Sequence, residues 1–253
     1  MRIGGIIDIS TKDIPNKSVM VMFTVGCNLN CGFCHNKFLL NRDIGKEMFV
    51  AEIIEKIRDN RLISGVSISG GEPTLQPDIF DLCKLIKSMD KYVSLDTNGT
   101  NPEIIENILP FIDRVALDLK APLISERLTQ ITRVKTDENA ISRSFHILNN
   151  QKDKDFEIRT TYVENLLTPE DIHQIILWLQ NNNFRGTFVL QQYQYSDGVT
   201  ENYKDKFQKP DHISLINILK PYSKLELPFR IFIRDDIVGY TSLNNAIKKL
   251  EEK

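Results

Sequence analysis

An α/β fold with parallel strands is predicted by three features of this 253-residue sequence. Short β-rich runs alternate with amphipathic helical stretches. Several of the runs are continuously apolar, as strands covered on both faces are. Helix-start signals stand between them. Alternation over five or six units implies crossover helices and a parallel sheet. Right-handed crossovers curl such a sheet into an open sheet or a barrel, and periodicity does not choose between the two.

The elements follow in order. After the opening "GGIIDIS", the first strand is read at Val19–Thr24 (VMVMFT). Val50, Ile53, Ile54 and Ile57 recur at i, i+3, i+4 and i+7, one apolar stripe on a helix. A strand at 66–69 (VSIS) precedes a second stripe of Ile79, Leu82, Cys83 and Ile86. A strand at 93–96 leads to Asn101-Pro102, an N-cap with proline at the first helical position. Strands follow at Arg114–Asp118 and 156–162. Thr168-Pro169 then opens a helix whose stripe is Ile172, Ile175, Ile176 and Leu179. The sixth strand is placed at 187–191, and a seventh at 229–233. Residues 195–228, with "YSDGVTENYKDKFQKPDH", read as a polar surface segment that a partner orders. The final "LNNAIKKLEEK" reads as an amphipathic tail. The whole chain, 1–253, is expected to be one domain with its core at about 15–195 and a C-terminal extension at 196–253.

Composition narrows the function. Apolar residues make up 41%, enough for a substantial core. The net charge of −2, with both signs mixed along the chain, is not the footprint of a nucleic-acid binder. No apolar run is long enough for a membrane helix. "MRIGGIIDISTKDIPNK" does not have the form of a signal peptide. Four clustered cysteines do not resemble a secreted disulfide framework, so a cytoplasmic chain with metal-binding or redox cysteines is expected.

In parallel α/β folds, ligands bind at the carboxyl ends of strands. Four motifs fall there: "VGCNLNCGFCHN" (25–36), "SGGEPT" (69–74), "DTNGT" (96–100) and "DLK" (118–120). Their shared position makes them one composite site. Cys27, Cys31 and Cys34 are spaced C-x3-C-x2-C. Zinc completed by His35 or a distant residue is one reading. A cubane iron–sulfur cluster is the other; it usually takes four thiolates, and with three it keeps one iron open for a substrate or cofactor. Cys83 lies on an apolar stripe and reads as a small hydrophobe. Gly70-Gly71-Glu72-Pro73 is also consistent with a plain strand-to-helix turn. Asp96-Thr97-Asn98 and Asp118-Leu119-Lys120 could each be caps or turns, and Arg159 could pair with a carboxylate. His146, His173 and His212 lack ligand spacing and read as surface or structural, and Trp178 reads as packing.

The cysteine spacing, with Phe33 before the last cysteine, resembles the signature of the radical S-adenosylmethionine (SAM) enzymes. "CHN" directly after it resembles the glycyl-radical-enzyme activating enzymes of that superfamily. That group includes the activators of pyruvate formate-lyase and of anaerobic ribonucleotide reductase, and "GGIIDIS" resembles the latter. The resemblance implies a partial (β/α)6 barrel. It implies a [4Fe-4S] cluster on Cys27, Cys31 and Cys34, with SAM at the open iron. Gly70, Gly71, Glu72 and Pro73 would lie along the methionine end of SAM, the acid at its amino group. Asp96 and Asn98 fall in the next cofactor loop. Asp96, Thr97 and Asp118, with the Leu119 carbonyl, would hold a monovalent cation. Lys120 would meet the SAM carboxylate or ribose, and Arg159 would contact SAM. Gln191 or Gln194 would bond the ribose or adenine, where the pyruvate formate-lyase activator has a histidine. "QQ" before an aromatic is more similar to one branch of the ribonucleotide reductase activators. His35 would pack or support the cluster through a hydrogen bond.

The implied chemistry is reductive cleavage of SAM to a 5′-deoxyadenosyl radical that takes hydrogen from a glycine of a partner glycyl-radical enzyme. A flavodoxin or ferredoxin-type protein would supply the electron. Neither membrane nor nucleic acid is an expected partner. A small molecule or RNA base is the alternative target. A non-catalytic iron–sulfur electron carrier is the alternative of another class, in which the SAM loops would have no purpose.

Overall fold

A computed structural model of the chain describes residues 1–195 and 206–252. Ten strands are described: β1 (Arg2–Ser10), β2 (Val19–Thr24), β3 (Lys46–Glu47), β4 (Gly65–Gly70), β5 (Tyr92–Thr97), β6 (Arg114–Asp118), β7 (Asp155–Tyr162), β8 (Thr187–Gln192), β9 (Arg230–Asp235) and β10 (Gly239–Ser242). The fold divides into two compact units. The first comprises Met1–Asn30, Asn36–Leu117 and Asn139–Phe156; the second comprises Cys31–His35, Asp118–Glu138 and Glu157–Lys253.

In the first unit the strands run in the order β3-β1-β2-β4-β5-β6. β2, β4, β5 and β6 are mutually parallel. β1 joins β2 antiparallel, and β3 caps the edge antiparallel to β1. The helices are α1 (Val50–Asp59), α2 (Ile79–Ser88), α3 (Pro102–Ile108) and α5 (Glu138–Asn149), whose first residue is assigned to the second unit. The stripe of α1 buries Ile53, Ile54 and Ile57, and that of α2 buries Ile79, Leu82, Cys83 and Ile86. Each such isoleucine or leucine contributes about 1.5–3 kcal/mol. β4 and β5 bury Val66, Ile68, Val93 and Leu95 completely, as strands covered on both faces do.

In the second unit β7, β8 and β9 are parallel, and β10 closes the edge antiparallel to β9. α4 (Ser125–Thr132), α6 (Pro169–Asn181) and the helices His212–Leu219 and Leu243–Glu251 belong to it. Thr168 caps α6 as expected, accepting from the Asp171 N–H while Asp171 accepts from the Thr168 N–H. Asn101 precedes α3 without a side-chain cap and donates instead to Thr74 Oγ1 at 2.7 Å.

All seven expected strands form, within a residue or two at their ends. The antiparallel strands β1, β3 and β10 are additional. "GGIIDIS" lies inside β1, whose burial is mixed rather than two-faced, so its pattern does not announce a strand. The segment expected to be polar surface at 195–228 needs correcting. Residues 196–205 lie outside the described residues, but His212–Leu219 is a helix that buries Leu215, Ile216 and Leu219. The expected tail is the helix Leu243–Glu251, anchored by Leu243 and Ala246.

Candidate active site

In the first unit the loops leaving β2, β4 and β5 are joined by hydrogen bonds around Glu72. Gly70 has φ +126°, and an added Cβ would stand 2.2 Å from the Thr24 nitrogen. At Gly71 a Cβ would stand 2.0 Å from the Gly26 carbonyl. The two glycines therefore let the chain's own backbones meet. Gly71 N–H donates to the Thr24 carbonyl (2.9 Å), and Glu72 N–H to the Gly26 carbonyl (2.8 Å). Pro73 then opens a single 3-10 turn, Pro73–Leu75.

The Glu72 side chain is 0% exposed. Its Oε1 accepts from Thr74 N–H (3.1 Å), Thr74 Oγ1 (2.6 Å) and Thr97 Oγ1 (2.7 Å), and its Oε2 from Asn98 N–H (2.7 Å). Burial raises its pKa; these hydrogen bonds oppose the rise without cancelling it. Glu72 is thus the tie between the loops after β4 and β5. Thr97 Oγ1 also accepts from Gly99 N–H (3.1 Å). Asp96 lies 3.6 Å from Arg114.

The same unit carries Cys27. Its sulfur accepts from Leu29 N–H at 3.4 Å and from the Asn98 side-chain amide at 3.9 Å. Asn98 Nδ2 also donates to Asn28 Oδ1 at 3.0 Å. Its Oδ1 accepts from Thr100 N–H (3.0 Å) and Thr100 Oγ1 (2.7 Å).

The second unit holds Cys31 and Cys34 together with a charged cluster around Asp118. Asp118 Oδ1 accepts from Arg159 Nε (2.9 Å), and Oδ2 from Lys120 Nζ (2.8 Å). Burial works against its charge, but Arg159 and then Lys120 bring its pKa down to about 2. Burial likewise works against the Lys120 ammonium. Asp118 first, then Cys31 and Cys34, outweigh it and raise its pKa. The Leu119 carbonyl accepts from Thr160 Oγ1 at 2.9 Å. The loop 31–35 buries Cys31 and Phe33 and leaves His35 exposed.

At the end of β8, Gln191 is half-buried, whereas Gln192 is buried. Gln192 donates to the Pro210 carbonyl (2.8 Å) and accepts from Asp236 N–H (3.1 Å) and from Gln194. Strand position alone did not single out Gln192. Nor did it reveal the pair His212 Nδ1 and buried Asp235, 2.6 Å apart, whose partners are 23 residues apart in sequence. Cys83 is 0% exposed, and burial pushes its thiol up to about 12, which suits a buried hydrophobe. No disulfide joins any of the four cysteines. Among the described residues, no three His, Cys, Asp or Glu side chains gather where a single metal ion could be held. Nor is any described helix long and apolar enough to cross a membrane.

The profile of the Radical SAM superfamily matches residues 21–190. A candidate glycyl-radical enzyme activating enzyme of Methanocaldococcus jannaschii is 34% identical over 209 residues, 80% of this chain and 84% of that protein. The pyruvate formate-lyase-activating enzyme of Clostridium pasteurianum is 36% identical over 125 residues, 47% of this chain and 52% of that one. Among solved structures, SuiB of Streptococcus suis bound to S-adenosylmethionine superposes with a TM-score of 0.66 at 22% identity. The match covers 90% of this chain and about half (52%) of that one.

Proposed function

The chain belongs to the radical SAM superfamily, and from that premise we propose that it installs a glycyl radical on a partner enzyme. It has the mixed α/β fold of that family, with a mostly parallel sheet consistent with a partial barrel, and it is an enzyme of the radical SAM type. The family implies a [4Fe-4S] cluster and SAM. When bound, these cofactors supply a 5′-deoxyadenosyl radical able to abstract hydrogen from carbon.

The donor chemistry fits this reading. Cys27, Cys31 and Cys34 are the thiolates proposed to hold the cluster. Cys27 already meets two N–H donors, and the Lys120 charge acts on Cys31 and Cys34. Anionic sulfurs need such company. In the proposal the backbone of Gly70, Gly71 and Pro73 faces the amino end of SAM, and Glu72 holds that loop in place. Asp96 and Asn98 form the neighbouring wall. Lys120 and Arg159 offer positive charge to the SAM carboxylate, with Asp118 fixing both. Gln191 and Gln194 are the proposed partners of the ribose or adenine. A monovalent cation at Asp96, Thr97 and Asp118 is a finer part of the proposal; absence of potassium or sodium dependence after exhaustive cation removal would remove it.

The single observation that carries the activating role is the relative named for it, of which this chain spans 84%. A flavodoxin or ferredoxin-type protein is the proposed electron donor. The test is direct. Reconstituted, reduced protein should release 5′-deoxyadenosine from SAM, and adding the partner should produce a glycyl radical signal in electron paramagnetic resonance. Cys31→Ala should abolish both cluster and release; release retained by that variant would overturn the reading.

A further inference from the structure

Of the three proposed cluster thiolates, Cys27 has a side-chain donor from a distant loop. The Asn98 amide reaches its sulfur at 3.9 Å across 71 residues of sequence. That amide has no freedom to turn away. Nδ2 is shared with Asn28, Oδ1 is held by the Thr100 N–H and hydroxyl, and the backbone N–H is fixed on Glu72 Oε2 at 2.7 Å. Asn98 is 5% exposed and Glu72 0%, so water does not compete strongly for these bonds.

We propose that Asn98 is a positioning residue for Cys27, whose side-chain donor raises the reduction potential of the cluster held there, with Glu72 as its anchor. The inference rests on the cluster reading given above. Reduction adds an electron, and with it negative charge on the cluster sulfurs. An N–H donor to such a sulfur therefore stabilises the reduced form more than the oxidised form. Through Glu72 the same donor is tied to the loop proposed to meet SAM. The loop after β5 thereby serves both cofactors.

The test compares wild type, Asn98→Ala and Asn98→Asp, all as the full chain reconstituted anaerobically. Iron and sulfide content, midpoint potential by titration followed with electron paramagnetic resonance, and exchangeable-proton couplings by its pulsed form are measured. Aspartate keeps the shape and the Thr100 and Glu72 bonds but has no donor. The expected result is wild-type loading, one exchangeable-proton coupling lost, and a midpoint lowered in both variants. An about tenfold weaker reduction equilibrium corresponds to ~59 mV for one electron. A variant that loads with unchanged potential and coupling overturns the inference. So does a shift confined to aspartate when the alanine variant also loads, since that is an added-charge effect. If alanine does not fold, the coupling in aspartate decides: its loss supports the proposal, its retention overturns it. Loading and SAM cleavage by wild type beside unshifted variants would sink this inference alone, whereas a wild type that takes up no cluster sinks the cofactor reading with it.

Discussion

Glu72 in the first unit and Asp118 in the second are carboxylates at strand ends, held in opposite ways. Glu72 is surrounded by neutral donors, two N–H groups and two hydroxyls, and burial raises its pKa. Asp118 stands between the full charges of Arg159 and Lys120, and its pKa falls to about 2. Neutral hydrogen bonds hold a shape without fully replacing lost hydration, whereas paired cations replace it and more. The first arrangement suits a fixed scaffold between loops. The second fixes two cationic side chains on one carboxylate.

The largest loss of stability is expected at Glu72. Glu72→Ala leaves the donors of Thr74, Thr97 and Asn98 facing a void and should cost about 3–5 kcal/mol, read from urea unfolding. Asp118→Ala, which strands Arg159 and Lys120 as unpaired cations, should cost about 2–4 kcal/mol. Asp118 also makes stability depend on pH. Its folded pKa is depressed, so its stabilisation is present above the ordinary value near 4 and is lost as pH falls through about 2. Asp118→Asn should remove that acid limb from melting curves. Glu72 has the other sign. Its folded pKa is raised, so its contribution is full below about pH 4 and declines as pH rises through the raised value. Glu72→Gln should abolish that slope and cost about 1–3 kcal/mol, because its amide would meet the Asn98 N–H donor to donor. The smallest effect is expected at Cys83→Ala: about 1 kcal/mol of stability, with bound iron unchanged in a colorimetric assay. Iron loss there would make Cys83 a ligand after all.

Much of the fold was legible because the parallel strands and α1, α2 and α6 bury whole stripes or whole faces. Periodicity reports such burial directly. β1 and His212–Leu219 were not legible. β1 has exposed Ile7 and Ile9 on an irregular register beside β2, and the helix follows a polar run that masks its start. Cys27, Cys31, Cys34, the GGEP loop and the loops after β5 and β6 are proposed for the site from local patterns alone. The duties within them were less legible. Glu72 is bonded to Thr97 and Asn98, partners that its own motif does not name. Gln192 proved to be the buried glutamine of its trio. His212 found Asp235, a partner that no spacing rule connects to it.

The family, the alternation of strand and helix, and the strand ends at which the site is proposed could all be read from the sequence. Each of those is written in residues near one another in the chain. Which polar groups satisfy one another depends on tertiary contacts: Glu72 with Thr97 and Asn98, Asn98 with Cys27, Asp118 with Arg159. Those pairings span 25 to 71 residues of sequence. They arise because a buried polar group must find a partner wherever folding brings one, and local pattern carries no record of that search.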